Sequence, residues 1–211
     1  MNLFEKNYNK KNLLKRILLT FVSVIFMGIT LSVLNIINQG MDPCTYMNVS
    51  IADKISWSLG NWQLLFNVLM FIPVILWGKK HIGIGTLFNM VLVGYTVDFC
   101  MWIWEQTGFD ACLELLPVKI VAMLVAVAVF VFAAAIYMST ELGTAPYDAL
   151  PMMISEKIKK VPFKVIRFIW DATTVVIGFV FSGRVGIVTI LMMLFLGQTV
   201  AFVRSRMYIK R

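Results

Sequence analysis

Charged residues, histidine and cysteine are all scarce in this sequence. Only 14% of its 211 residues are charged and 60% are hydrophobic, whereas a soluble domain has about 25% charged and about 45–50% apolar residues. So little polar surface cannot coat a water-soluble globule. The apolar residues also form long blocks rather than an amphipathic pattern, which indicates lipid as the solvent.

The side chains that most enzymes and metal sites require are nearly absent. The single histidine, His81, follows two lysines, and we expect it to be solvated rather than to act as a ligand or a general base. The cysteines, Cys44, Cys100 and Cys112, have no regular spacing, which indicates neither a disulfide framework nor a metal site. No P-loop and no HExxH sequence occurs,. We therefore expect no enzyme activity, no cofactor and no metal.

Six apolar stretches approach the roughly 20 residues that a helix needs to cross a bilayer. They span residues 17–38, 63–77, 84–104, 117–140, 163–181 and 185–203. Lysine and arginine collect at their ends, 16 on the side of both termini and 3 on the other side. Because basic residues mark the cytoplasmic side, we predict an all-α integral membrane protein with six transmembrane helices and cytoplasmic termini. This placement, and not nucleic-acid binding, accounts for the net charge of +8.

The two halves of the chain repeat each other at a shift of 103 residues. Each half has one long apolar stretch, a Gly-x-x-Pro turn, a short helical segment and two further apolar stretches. We divide the chain into a basic segment 1–16, a first repeat 17–104, an outer loop 105–116, a second repeat 117–203 and a basic tail 204–211. The clearest matches are Gly40 with Gly143, Pro43 with Pro146, Gly83 with Gly186 and Thr86 with Thr189.

Three transmembrane helices in each repeat insert the second copy in the opposite orientation. Inverted repeats are typical of secondary transporters, whose substrate sites lie near the midplane between the repeats. Duplication retained for fold stability alone is the alternative, because channels and scaffolds also contain such repeats.

Two short segments that open with Gly-x-x-Pro, at residues 40–45 and 143–148, are the most informative stretches. Glycine permits a tight reversal, and proline starts a helix without losing a needed donor. Each segment is either a re-entrant half-helix or an amphipathic helix at the membrane interface. In the first case its N-terminal amides favour an anionic group on a substrate.

These segments, together with Gly-x-Gly-Thr at residues 83–86, resemble the bacterial YczE/YyaS/YitT family of membrane proteins. The likeness covers nearly the whole chain. It implies a multi-pass protein of the bacterial plasma membrane with an internal repeat, and no settled biochemical activity. Members often carry tryptophan after the proline, where this chain has Cys44 and Tyr147.

Ionisable side chains inside a membrane span usually serve a site, a partner or a cavity. Asp171 lies eight residues into the fifth stretch, and Asn67 occupies nearly the matching place in the second. We expect no basic residue at this depth. Asp171 is therefore either a proton- or cation-coupling group or a structural hydrogen-bond partner. Asp98 lies nearer the outer end of its helix and is either a site residue or a solvated one.

The leading hypothesis is a small-molecule transporter or exporter whose site lies between the two Gly-x-x-Pro segments. The alternatives are a substrate-capture subunit of a larger transporter and a non-transport accessory or regulatory protein. The expected partners are the lipid bilayer, an unknown small molecule or ion, and a second copy or another membrane protein. The candidate substrate- or ion-binding residues are Asp42, Pro43, Thr45, Asn67, Asp98, Pro146, Tyr147, Asp148 and Asp171.

Overall fold

The computed structural model describes residues 10–206, and this part of the chain consists of helices and the turns that join them. A single 3-10 turn at Lys79–His81 separates α3 from α4. The helices are α1 (Lys10–Ile37), α2 (Pro43–Lys54), α3 (Leu59–Trp77), α4 (Ile84–Thr107), α5 (Phe109–Cys112), α6 (Leu116–Ser139), α7 (Pro146–Lys157), α8 (Phe163–Val180) and α9 (Ile187–Arg206).

Helices α1 and α6 form the centre of the molecule and pack against each other. Their side chains Val24, Leu34 and Tyr137 are at most 1% exposed. Large apolar side chains also cover the outside, as Leu69, with 49% exposure, illustrates. An apolar surface of this kind suits contact with lipid.

The helix bounds differ from the predicted stretches mainly at helix starts. Helix α3 begins at Leu59 rather than at residue 63 because the Ser58 hydroxyl caps it, accepting a hydrogen bond from the Asn61 amide at 3.3 Å. Helix α9 begins at Ile187 rather than at residue 185. The predicted outer loop 105–116 contains the end of α4 and the short helix α5.

Four helices within the described residues are long and apolar enough to cross a membrane. They are α1 from Leu13 onward, α3, α4 and α6. Helix α8 falls short because it carries three charged residues, Lys164, Arg167 and Asp171. The apolar part of α9, Ile187–Val200, falls short in length.

Both Gly-x-x-Pro turns have the backbone geometry that the sequence predicts. Gly40 and Gly143 have φ angles of 95° and 106°, a region that residues with a Cβ rarely adopt. Pro43 and Pro146 are the first residues of α2 and α7. The predictions of a tight reversal and of a helix start at proline are confirmed.

Residues separated by 103 positions make equivalent contacts between the two halves. The Val188 amide donates to the Gln39 carbonyl oxygen at 3.0 Å, and the Gly85 amide donates to the Leu142 carbonyl oxygen at 2.8 Å. The threonines that follow, Thr189 and Thr86, are fully buried. Each half therefore seats its Gly-x-x-Pro turn on the start of the last long helix of the other half.

Helix α2 lies inside the protein rather than along its surface. Eight of its twelve residues are buried, and it packs against α3, α8 and α9. Helix α7 has the corresponding contacts with α8 and α3. The beginnings of both short helices are thereby brought to the interior of the molecule.

Candidate functional site

A cavity of about 570 Å³ lies between the two halves of the molecule. Of the nine α-helices in residues 10–206, all contribute to its lining except the four-residue α5. Its polar and charged lining residues are Asp42, Thr45, Gln63, Asn67, Asn89, Tyr137, Glu141, Tyr147, Asp148 and Arg167. Most of the remaining lining is apolar, as in small-molecule sites in general.

The cavity brings together five of the nine candidate residues: Asp42, Thr45, Asn67, Tyr147 and Asp148. Pro43 and Pro146 are buried and do not line it; they are the first residues of α2 and α7. Asp42 directly precedes α2, and Asp148 lies in the first turn of α7.

Arg167 forms the centre of a charged network on one wall of the cavity. Its Nη1 donates to Asp148 Oδ1 at 2.5 Å, and its Nε donates to Asp171 Oδ2 at 2.9 Å. Tyr147 donates its hydroxyl to Asp171 Oδ1 at 2.6 Å, and the guanidinium lies 5.3 Å from the centre of the Tyr147 ring. Asp148 and Asp171 thus share the guanidinium of Arg167, and the three side chains are at most 18% exposed.

The expectation that no basic residue lies at the depth of Asp171 is wrong. Arg167 precedes Asp171 by one helical turn, and their side chains are only 15% and 2% exposed. Its sequence position assigns Arg167 to the basic flank of the fifth stretch, but its side chain turns inward to Asp171. Asp171 itself lies behind the network and does not line the cavity.

Asp42 connects the start of α2 to the cavity. Its Oδ2 accepts a hydrogen bond from the Thr45 amide at 3.1 Å and so caps the helix, as aspartate commonly does at this position. The expected place of an anionic substrate group is therefore filled by a carboxylate of the protein. The other oxygen, Oδ1, is buried and has no hydrogen-bond partner.

A second acceptor without a partner is the amide oxygen of Gln63. The residue is 5% exposed and its Oε1 is buried. One turn further along α3, the Asn67 amide donates to the Met90 carbonyl oxygen at 3.4 Å. Asn67 therefore ties α3 to α4 while it lines the cavity.

Asp98 lies away from the cavity. Its Oδ2 accepts a hydrogen bond from the Gly60 amide in the first turn of α3 at 2.8 Å. A carboxylate at this position satisfies a free amide and opposes the positive end of the helix dipole. Its position makes Asp98 a link between α4 and α3.

Three lining residues of the cavity are exposed: Glu141 and Phe163, which lie where helices begin or end, and Gly197 in the middle of α9. Close to these helix ends, Arg16 donates from Nε to the Thr140 carbonyl oxygen at 2.8 Å and lies 3.9 Å from Glu141. We call the part of the cavity at Glu141 and Phe163 its mouth.

The expectation that His81 is solvated is wrong. Its side chain is only 11% exposed and its Nε2 lies 3.7 Å from Glu156, which also pairs with Lys80 at 2.6 Å. Burial lowers the pKa of His81, against the opposing effect of Glu156. His81 is outside the cavity, and within residues 10–206 no group of three metal-binding side chains occurs.

Sequence reasoning missed Arg167, Gln63, Asn89 and Glu141 as parts of one site. The spacing of Arg167 and Asp171, four residues apart in an apolar helix, is the signal that could have identified the pair. Gln63 and Asn89 carry no comparable signal, because only the packing of α3 on α4 brings them to the cavity.

Comparisons with known proteins find similar bacterial proteins. The chain is 26% identical to the uncharacterized protein YyaS of Bacillus subtilis over 171 residues, which cover 81% of this chain and 82% of that protein. It is 25% identical to an uncharacterized protein of Haemophilus influenzae over 88% of this chain and 81% of that protein.

The chain is also 27% identical to the uncharacterized membrane protein YczE of Bacillus subtilis, over 56% of this chain and 52% of that protein. No solved structure matches the chain. The resemblance to YczE and YyaS is confirmed, and the apolar helices lie in a membrane protein. Residues 14–205 match the family of unknown function DUF6198, and the chain belongs to that family.

Proposed function

We propose that this protein is a small-molecule membrane transporter with its binding site in the cavity between the two halves. The observation that carries the proposal is the cavity itself, which is lined by every long helix and contains three carboxylates and an arginine. Charged side chains inside a membrane protein are costly, so they usually serve a site or a pathway. The proposal includes no catalytic activity.

Six membrane spans in two inverted repeats are part of this proposal. The equivalent contacts of Val188 with Gln39 and of Gly85 with Leu142 support a repeat with a common fold. The charges of α8 do not prevent it from crossing the membrane, because Arg167 and Asp171 face the interior. Its outer face is apolar, as the exposed Val176 and Val180 indicate.

The mouth of the cavity faces the cytoplasm in this proposal. The clustering of basic residues favours a cytoplasmic location for both chain termini and for the turn at Lys79–His81, in a bacterial plasma membrane. Glu141 follows α6 and Phe163 begins α8 on that same side. The burial of α2 favours re-entrant over interfacial short helices, since an interfacial helix leaves one face against solvent or lipid.

The two alternative functions predict different behaviour of the interface between the halves. A non-transport accessory protein requires a dry, closed interface, and the cavity of about 570 Å³ favours a binding protein instead. A substrate-capture subunit has such a cavity but opens it to one side only. Access from both sides therefore distinguishes a transporter from both alternatives.

Cys44 makes this access measurable without a known substrate, because it lines the cavity and is partly buried. In a Cys100→Ser and Cys112→Ser chain, Cys44 is the sole thiol. A membrane-impermeant thiol reagent is applied to right-side-out and inside-out vesicles, and the modification of Cys44 is followed with time. We expect modification from both faces, since alternating access exposes the cavity to each side in turn.

A matched chain that retains only Cys112 controls the orientation of the vesicles. Cys112 is exposed at the end of the short helix α5, and it should react from the outer face alone. If Cys44 reacts from the inner face alone while Cys112 reacts as expected, the transporter proposal is wrong. That outcome would favour the capture subunit.

A further inference from the structure

We propose that the cavity binds a small organic cation with an ammonium group and an apolar body. This inference rests on the proposed function and specifies the substrate class of the same site. Four observations carry it: an unpaired carboxylate oxygen, an unpaired amide oxygen, the balance of charges on the lining, and the apolar remainder of the wall.

The carboxylate of Asp42 lacks one hydrogen-bond donor. The residue is only 7% exposed, its Oδ2 is held by the Thr45 amide, and its Oδ1 has no partner. A buried carboxylate oxygen without a donor is unfavourable unless a ligand supplies one. Because Asp42 lines the cavity, a cationic donor in the cavity can complete it.

The amide oxygen of Gln63 requires the same kind of ligand group. Its Oε1 is buried without a partner, and Gln63 lines the same cavity as Asp42. Within the described residues, these are the two buried side-chain atoms of the lining that lack a hydrogen-bond partner, and both are oxygen acceptors. An ammonium group carries three donors, and either oxygen can accept one of them.

The charge of the lining also favours a cation. Three carboxylates line the cavity, those of Asp42, Glu141 and Asp148, against the guanidinium of Arg167 in the lining and that of Arg16, which lies 3.9 Å from Glu141. Arg167 is already paired with Asp148 and Asp171 through Nη1 and Nε. An anionic ligand would have to compete with these carboxylates, whereas a cation meets an excess of negative charge.

The rest of the wall suits an apolar body. The buried side chains Leu31, Val93 and Phe130 line the cavity together with the rings of Tyr137 and Tyr147. Aromatic faces also attract cations. A cavity of about 570 Å³ has room for a ligand the size of a small metabolite,.

Thermal unfolding of the detergent-purified full chain at neutral pH tests the substrate class with three probes that share one aromatic body. The probes are 2-phenylethylammonium, 3-phenylpropionate and 2-phenylethanol. We expect only 2-phenylethylammonium to raise the unfolding midpoint in a concentration-dependent manner. Stabilisation by 3-phenylpropionate instead, or by no probe, would overturn the proposal.

Two variants locate the binding group. Asp42→Asn removes one charge of the cavity, and we expect it to weaken the apparent affinity for the amine by about tenfold or more. Asp110→Asn makes the same chemical change at an exposed residue of α5 and should leave the affinity unchanged. Equal affinities of Asp42→Asn and the parent chain would contradict the assignment.

A second measurement applies if Asp42→Asn fails to fold. In the chain whose sole thiol is Cys44, the amine should slow the alkylation of Cys44 severalfold, because Cys44 lines the same cavity. Unchanged alkylation at saturating amine would overturn the proposal.

The amine-binding measurements and the vesicle experiment test different proposals. If Cys44 reacts from both membrane faces but the amine does not bind, the transporter proposal stands and the substrate class is wrong. If the amine binds and Cys44 reacts from one face only, the protein captures cations without transporting them.

Discussion

Single residues decide the electrostatics of the cavity. Arg167 compensates Asp148 and Asp171, so the isolated membrane carboxylate that the sequence indicated is part of a three-residue cluster. A flank count assigns a basic residue one turn inside a helix to the surface, because it does not record the direction of the side chain. Asp42, in contrast, could be identified from its place before Pro43, where a helix begins.

Because Arg167 is paired with Asp171, we predict that removing the arginine lowers the free energy of unfolding strongly. Arg167→Met leaves the buried Asp171 and the partly buried Asp148 without their cation, and we expect a loss of about 3–5 kcal/mol in the free energy of unfolding. Asp171→Asn introduced into that variant should restore part of the loss. Unfolding of the purified variants in a mixed-detergent titration provides the measurement.

Arg184→Met is the matched control for this cycle. Arg184 is exposed in the turn before α9, so its removal should change the free energy of unfolding by no more than about 0.5 kcal/mol. If the two arginine variants have the same stability, the network at Arg167 does not stabilise the fold as we describe.

Among the helices and turns, the Gly-x-x-Pro turns are the part of the fold that the sequence predicts best. Glycine and proline have narrow backbone roles, so their spacing predicts a reversal and a helix start directly. The docking of each turn on the other half could not be predicted from local pattern, because it depends on how α4 and α9 approach the turns.

Gly143 should be far less tolerant of alanine than Gly108. Both have positive φ angles, 106° and 65°, but a Cβ at Gly143 would lie 2.9 Å from the Gly83 Cα, whereas nothing lies within 4 Å of one at Gly108. We expect Gly143→Ala to cost about 1–3 kcal/mol more than Gly108→Ala. Equal losses in thermal or detergent unfolding would argue against the close seating of this turn.

Asp98 should affect the stability of α3 and not the cavity. Asp98→Ala removes the acceptor of the Gly60 amide, and we expect a loss of about 1 kcal/mol. Asp98→Asn retains an acceptor oxygen and should recover part of it. Binding of 2-phenylethylammonium should be the same in both variants, and a variant that folds but no longer binds the amine would place Asp98 in the site.

For the molecule as a whole, composition was sufficient to predict an all-α membrane protein. Backbone amides and carbonyls inside a bilayer must bond to each other, and a helix satisfies them within one segment. The repeat at a shift of 103 residues placed Asp42, Tyr147 and Asp148 near one another. The size of the cavity, its opening and the contribution of Gln63 depend on tertiary packing between helices that are distant in sequence. The apolar periodicity of a single helix does not show which other helices it will contact.

We propose that the two halves enclose the cavity from opposite orientations in the membrane. Lys54 and Lys157 test it most directly, because they are 103 residues apart and are exposed in the last turns of α2 and α7. In a chain whose three native cysteines are replaced by serine, Lys54→Cys and Lys157→Cys are labelled separately with an impermeant thiol reagent in oriented vesicles. We predict that Lys54→Cys reacts from the outer face and Lys157→Cys from the cytoplasmic face. Reaction of both from the same face would contradict the inverted repeat and with it the alternating access of the cavity.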